Sequence, residues 1–242
     1  MDKHTFSATT LKYLAIIAMT VDHIAFAFVP ATSALCYVMR LFGRLTAPLM
    51  CFFLSEGYRY TRNRKNYLLR LFAFAIISQP PYFYLVFRRM PNSIWECITH
   101  LNVMFTLGIA LLNLMILQSH RIKNAARAIL AAVCISLAQF GDWSYMIPVW
   151  VLIFYYFKQD TPKRNILYAA ACLILLPMIY LHQFNDFAHF SFQYGTLLAL
   201  LPLQRYNGHR NIRNSNRSNR WLFYLYYPLH VIVLDSVSYF MV

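Results

Sequence analysis

Asp22 and His23 stand side by side inside an otherwise apolar run, LKYLAIIAMTVDHIAFAF at 11–28. A carboxylate and an imidazole in that setting are costly unless they face protein or a watery cavity, so they mark a candidate site. Imidazole takes up and returns a proton near neutral pH, and its neutral form is tolerated in apolar surroundings. His23 is therefore a candidate base. Neighbouring helical residues diverge by about 100°, so Asp22 and His23 must address different partners. Arg44, in the next apolar run, is the natural charge partner for Asp22. A buried pair keeps both groups ionised, whether for chemistry or for helix packing alone. Glu56 closes that run, and His230 and Asp235 lie in the last one. His230 can share a helix face with Tyr226 and Tyr227, and Pro228 between them frees a carbonyl one turn earlier. That makes His230 a second candidate base or orienting group, with a hydrogen-bonded structural histidine as the alternative.

Asn102, Thr106 and Asn113 recur at helical spacing and form a polar stripe, either glue between helices or a lane leading to a site. Pro80 and Pro81, after Ser78 and Gln79, interrupt an apolar run in the manner of a broken helix. His100, Asp142, His182, Asp186 and His189 fall in or beside loops, but their spacing matches no compact metal motif. The five cysteines are scattered and read as small core side chains rather than as disulfides or ligands. No P-loop, dinucleotide fingerprint, GxSxG elbow or HExxH motif occurs.

These residues need elements to hold them, and composition says which. Of 242 residues 60% are hydrophobic and only 8 are Asp or Glu, a balance that points to lipid rather than to a soluble core. The fold expected is all-α: a polytopic integral membrane helical bundle forming one domain over 1–242. Spans are expected at 11–29, 35–56, 67–87, 101–118, 125–140, 145–157, 165–181, 190–203 and 221–240, nine in all with eight to ten possible. The spans at 125–140, 145–157 and 190–203 are short for a crossing, so one pair can be re-entrant or broken. The first run lacks a small-residue cleavage site and is read as a retained span, not a signal peptide. Most of the 22 basic residues fall in alternate loops, which places the N-terminus in the cytoplasm and the C-terminus outside. The net charge of +14 follows from those loops, the densest being the basic cytoplasmic loop 204–220, and calls for no nucleic acid partner.

The ordered set LKYLAIIAMTVDHIAFAF (11–28), LFGRLTAPLMCFFLSEGYRYTRNRKNYLLRLFAFAIISQPPY (41–82), LNVMFTLGIALL (101–112), FGDWS (140–144), LQRYNGHR (203–210) and WLFYLYYPLHVIVL (221–234) resembles the TraX family of membrane proteins. The resemblance implies a membrane-embedded acyltransferase of the cell membrane, with acetyl-coenzyme A as the donor and an amine or hydroxyl of a protein or cell-surface glycan as the acceptor. It sets the family's motif positions at Asp22, His23, Arg44, Glu56, Asn102, Tyr227, Pro228 and His230. Asp142 and Trp143, followed by Ser144 and Tyr145, depart from the YG-like pair and nearby glycine expected there. In the implied mechanism His23 or His230 takes a proton from the acceptor, and Asp22 or Arg44 orients the histidine or the carbonyl. Asn102 or Tyr227 stabilises the oxyanion. Arg59, Arg62, Arg205 and Arg210 are the expected contacts for the donor's phosphates. Buried Asp, His and Arg also suit a small proton-coupled transporter, and a non-catalytic pilin or envelope assembly protein would use them for packing.

Overall fold

The computed structural model describes residues 6–184, 190–208 and 217–241, and leaves undescribed the side chains of 181–184, 217–220, 222, 239 and 241. The helices are α1 (Ala8–Phe28), α2 (Ala34–Gly43), α3 (Thr46–Tyr60), α4 (Arg64–Phe87), α5 (Ile94–Thr99), α6 (Val103–Leu117), α7 (Asn124–Leu137), α8 (Met146–Tyr156), α9 (Thr161–Phe184), α10 (Leu200–Gln204) and α11 (Arg217–Met241). Two 3₁₀ stretches, Ala138–Phe140 and Ser191–Ala199, follow α7 and precede α10. Apart from two isolated bridges, Phe6 with Tyr206 and Leu101 with Gly141, the described residues form an all-α protein. Among the described residues four helices, Ala8–Phe28, Ala34–Tyr60, Arg64–Phe87 and Thr161–Tyr180, are long and apolar enough to cross a membrane. Val103–Leu117, Asn124–Phe140 and Met146–Tyr156 are shorter apolar helices. Ile76, Ile129, Ile166 and Met178 stand exposed on these helices, an outer surface that suits lipid better than water.

All nine expected stretches fall on helix, and the structure corrects their continuity. The stretch 35–56 is broken by a turn at Arg44 and Leu45. Pro48 has no N–H to give the Arg44 carbonyl, so the chain turns there while the Arg44 N–H still bonds Arg40 O at 3.1 Å. Pro80 and Pro81 do the opposite of what their type suggests: α4 runs through them for 24 residues. The stretch 190–203 is mostly a 3₁₀ run of nine residues, long for that geometry.

The chain divides into two compact units, Met1–Met50 with Asp160–Val242, and Cys51–Gln159. In the first unit α1 packs on α2 and α11, and the 3₁₀ run packs on α2 and α9. Fully buried Ala15 and Ala18 let the α1 backbone approach its neighbours closely, as small residues do between membrane helices. Thr46 donates to Ala15 O at 3.2 Å, and Tyr168 donates its hydroxyl to Thr196 O at 2.7 Å. Gly195 lies directly against the Leu41 carbonyl, so closely that a Cβ there would overlap it.

In the second unit α6 is central, packing on α4, α7 and α8. Its first turn is capped by Asn102, whose Oδ1 accepts from Met104 N at 3.0 Å. Thr106 donates to Asp142 O at 2.9 Å, pinning a loop in which Trp143 and Ser144 take positive φ of 64° and 46°. Beyond α4, Arg89 pairs with Glu96 at the surface and holds its carboxyl down to about 2, helped by the Asn92 N–H.

Candidate functional site

Asp22 and His23 occupy the last two turns of α1 and use their divergence as the sequence requires. Asp22 faces the end of α2. Gly43 makes this approach possible, because a Cβ at 43 would run into the Asp22 side chain. Arg44 Nη2 donates to Asp22 Oδ1, and Arg40 Nε lies 3.9 Å from the same oxygen. The side chains of Asp22 and Arg44 are only 13% and 7% exposed, so their attraction is little screened. Arg44 Nη1 also donates to Gln193 Oε1 at 3.4 Å. The Phe192 ring lies 4.6 Å from the Arg40 guanidinium carbon and 5.3 Å from that of Arg44, a cation–π arrangement that shelters both.

His23 turns to α11. Its Nδ1 lies 2.6 Å from His230 Nε2, and the rings are 4° from parallel with centroids 4.9 Å apart. That separation equals the nitrogen contact plus the two ring radii, so the rings meet edge to edge in one plane. An in-plane contact aligns an N–H with the lone pair of the facing nitrogen. On its other edge His230 Nδ1 meets Tyr226 O at 2.8 Å. The Tyr226 ring runs parallel to His230 at 5.0 Å, and its hydroxyl lies 2.5 Å from Thr20 Oγ1. Tyr227 is buried with its ring 5.8 Å from His230. His23 remains partly exposed, and Asp22, Arg44 and Arg40 all lie within its electrostatic reach. The two guanidiniums are placed to stabilise negative charge that develops beside the histidine pair.

The structure thus brings together Asp22, His23, Arg44, His230 and Tyr227. Asn102, Arg59 and Arg62 belong to the other unit. There both amide hydrogens of Asn102 are engaged, with Ala75 O at 2.7 Å and Gln79 Oε1 at 2.8 Å, so its contacts are those of a buried tie. Arg59 donates to Tyr155 O and lies over the Tyr155 ring at 4.3 Å, while Arg62 is exposed. Glu56 accepts from Lys158 at 2.7 Å. Arg205 is exposed after α10, its carbonyl taking the Phe6 N–H at 3.1 Å, whereas Arg210 lies outside the described residues. So do Asp186 and His189, and the side chain of His182. Among the described residues no three of His, Cys, Asp and Glu gather as a metal would require.

Gln193, Phe192, Thr20 and the carbonyl of Tyr226 complete the arrangement and escaped the reading of the sequence. Gln193 had a signal, a lone amide in the apolar run after Phe190, and it is 3% exposed. Thr20 and Phe192 had none, being ordinary residues of apolar helices, while Tyr226 was placed on the face of His230 by its spacing but its carbonyl was not singled out.

A family model described as TraX protein matches residues 7–238. A relative from Dichelobacter nodosus named "Probable fimbrial assembly protein FimC, serogroup H1" is 33% identical over 238 residues, which are 98% of this chain and 97% of the relative. An uncharacterized protein of Rickettsia prowazekii (strain Madrid E) is 38% identical over 69 residues, 28% of this chain and 24% of that protein. No solved structure matches.

Proposed function

The chain belongs to the TraX family, and from that premise we propose that it acts in the membrane to assemble a fimbrial or other envelope structure. The observation that carries this is the likeness to the fimbrial assembly protein along nearly the whole of both chains. In this reading the chain crosses the bacterial cytoplasmic membrane in nine spans, with its N-terminus inside and its C-terminus outside. The nine helical stretches and the alternation of basic loops support that placement.

A chemical form of this role is favoured by the His23–His230 contact beside Asp22, Arg40 and Arg44. Two imidazoles bonded in plane are more than packing needs, and they suit proton transfer during acyl transfer. In this form a thioester donor, acetyl-coenzyme A by the family resemblance, gives its acyl group to an amine or hydroxyl of a protein or glycan acceptor. The histidine pair takes the acceptor's proton. Asp22 holds Arg44 in place, and Arg44 and Tyr227 face the oxyanion. The basic loop 204–220, with Arg205 and Arg210, meets the donor's phosphates from the cytoplasmic side.

A deletion strain complemented with the wild-type chain or with His23→Ala tests both levels. Loss of a surface structure on deletion, restored by wild type, supports the assembly role; an unchanged envelope rejects it. If His23→Ala restores assembly fully, the chemical form is wrong. In parallel, purified protein in nanodiscs with labelled acetyl-coenzyme A and host membrane extract is expected to label an acceptor. The His23→Ala variant is expected to fall by about 100-fold or more.

A further inference from the structure

The hydrogen bonds around His230 assign the protons of both histidines. Tyr226 O is a carbonyl and can only accept, so the hydrogen between it and His230, 2.8 Å away, sits on His230 Nδ1. A neutral imidazole carries one N–H, which leaves His230 Nε2 with a lone pair. The 2.6 Å contact to that lone pair then requires the hydrogen to sit on His23 Nδ1. His23 Nε2 is left as the bare nitrogen, and among the described residues it has no hydrogen-bond partner. The reverse assignment would set two lone pairs face to face at 2.6 Å in coplanar rings.

A second chain of directed bonds fixes the carbonyl on which this depends. Thr20 donates its hydroxyl hydrogen to Ile16 O at 2.8 Å, so at the 2.5 Å contact Tyr226 must donate to Thr20 Oγ1. The Tyr226 side chain is thereby tied to α1, and its carbonyl is presented to His230 on the same helix. Both chains end on backbone carbonyls, which cannot change their role.

We infer that His23 is the base, acting through Nε2, and that His230 is a positioning residue that keeps the hydrogen of His23 on Nδ1. This rests on the acyl-transfer form of the proposed function. In the step itself the acceptor nitrogen or oxygen forms a bond to the thioester carbonyl carbon as its proton passes to His23 Nε2. The carbon–sulfur bond then breaks, and the proton moves from His23 Nε2 to the departing thiolate. No oxidant or metal enters. While His23 holds the extra proton, the lone pair of His230 Nε2 takes a stronger, charge-assisted bond from His23 Nδ1–H. His230 thus stabilises the imidazolium as a carboxylate does in hydrolase triads, without adding a negative charge to the bundle.

The test is ¹⁵N NMR of histidine-labelled protein in nanodiscs at about pH 8, above the ordinary range of histidine titration. His23→Gln and His230→Gln variants assign the signals. Both residues are expected to show a protonated Nδ1 and a bare Nε2; a protonated Nε2 on His23 overturns the inference, whatever the enzymatic activity. Correct tautomers with no labelled product in any host extract would instead reject acyl transfer and leave the proton assignment standing. Kinetics supply a second readout. His230→Gln keeps an acceptor for His23 Nδ1–H and is expected to retain kcat within about tenfold, whereas His230→Leu falls by about 100-fold or more at similar donor KM. Equal losses in the two variants, each still giving the His23 signal of folded protein, would remove the positioning role.

Discussion

Arg44 and Asp22 illustrate what a single residue decides here. Deleting one partner of a buried pair leaves the other charged and poorly solvated, at a cost of about 3 to 5 kcal/mol. Arg40 lies 3.9 Å from the same carboxylate oxygen and can take over part of the interaction, so Arg44→Met is expected to lose about 3 kcal/mol, the lower end of that range. Adding Asp22→Asn should recover most of this, because the unpaired charge is then gone; thermal unfolding of both variants in detergent reads the difference. A double variant no more stable than the single one would show that the carboxylate is already solvated. An arginine partner for Asp22 was legible in the sequence, since the next apolar run carries Arg44, whereas the second arginine on the same carboxylate, Arg40, was not singled out. The meeting of His23 with His230 was not legible, because 207 residues separate them and each had a plausible role alone.

At the level of elements, close approach of backbones sets the site. The 3₁₀ run brings Gly195 against the Leu41 carbonyl of α2, and the same run supplies Phe192 and Gln193 to the two arginines. A main-chain carbonyl cannot swing aside as a side chain does. Gly195→Ala is therefore expected to destabilise by about 1 to 3 kcal/mol and to disturb the Arg44–Gln193 contact. Gly208 offers the contrast, with a φ of 71° and nothing near its missing Cβ. Gly208→Ala should cost about 1 kcal/mol, from backbone strain alone. Equal melting temperatures for the two variants would count against the packing of the 3₁₀ run on α2. Periodicity foresaw helix over 190–203 but not its type, since a 3₁₀ turn and an α turn can carry the same apolar residues. It also foresaw a break at Pro80 and Pro81, where α4 instead continues. A proline removes a hydrogen bond without dictating whether packing holds the helix together across the gap.

For the whole molecule the charge pattern makes the sharpest statement. If the proposed placement of nine spans with the basic loops inside holds, a tag after Val242 is reached by a membrane-impermeant reagent from outside the cell, and a tag before Met1 only after lysis. A C-terminal tag reached only from the cytoplasm would mean an even number of spans. Sequence by itself determined the all-α class, the helical stretches, the apolar outer surface and the few polar residues that need partners. Each of these follows from local chemistry: what a residue can bury, and at what spacing. Only the tertiary structure decided which partners those residues found. It set Asp22 on Arg44 with Gly43 clearing the way, His23 on His230 in one plane, and Asn102 inside a tie to α4. Contacts between helices distant along the chain depend on rotation and depth, and in an apolar bundle most of the residues that set these look alike in the sequence.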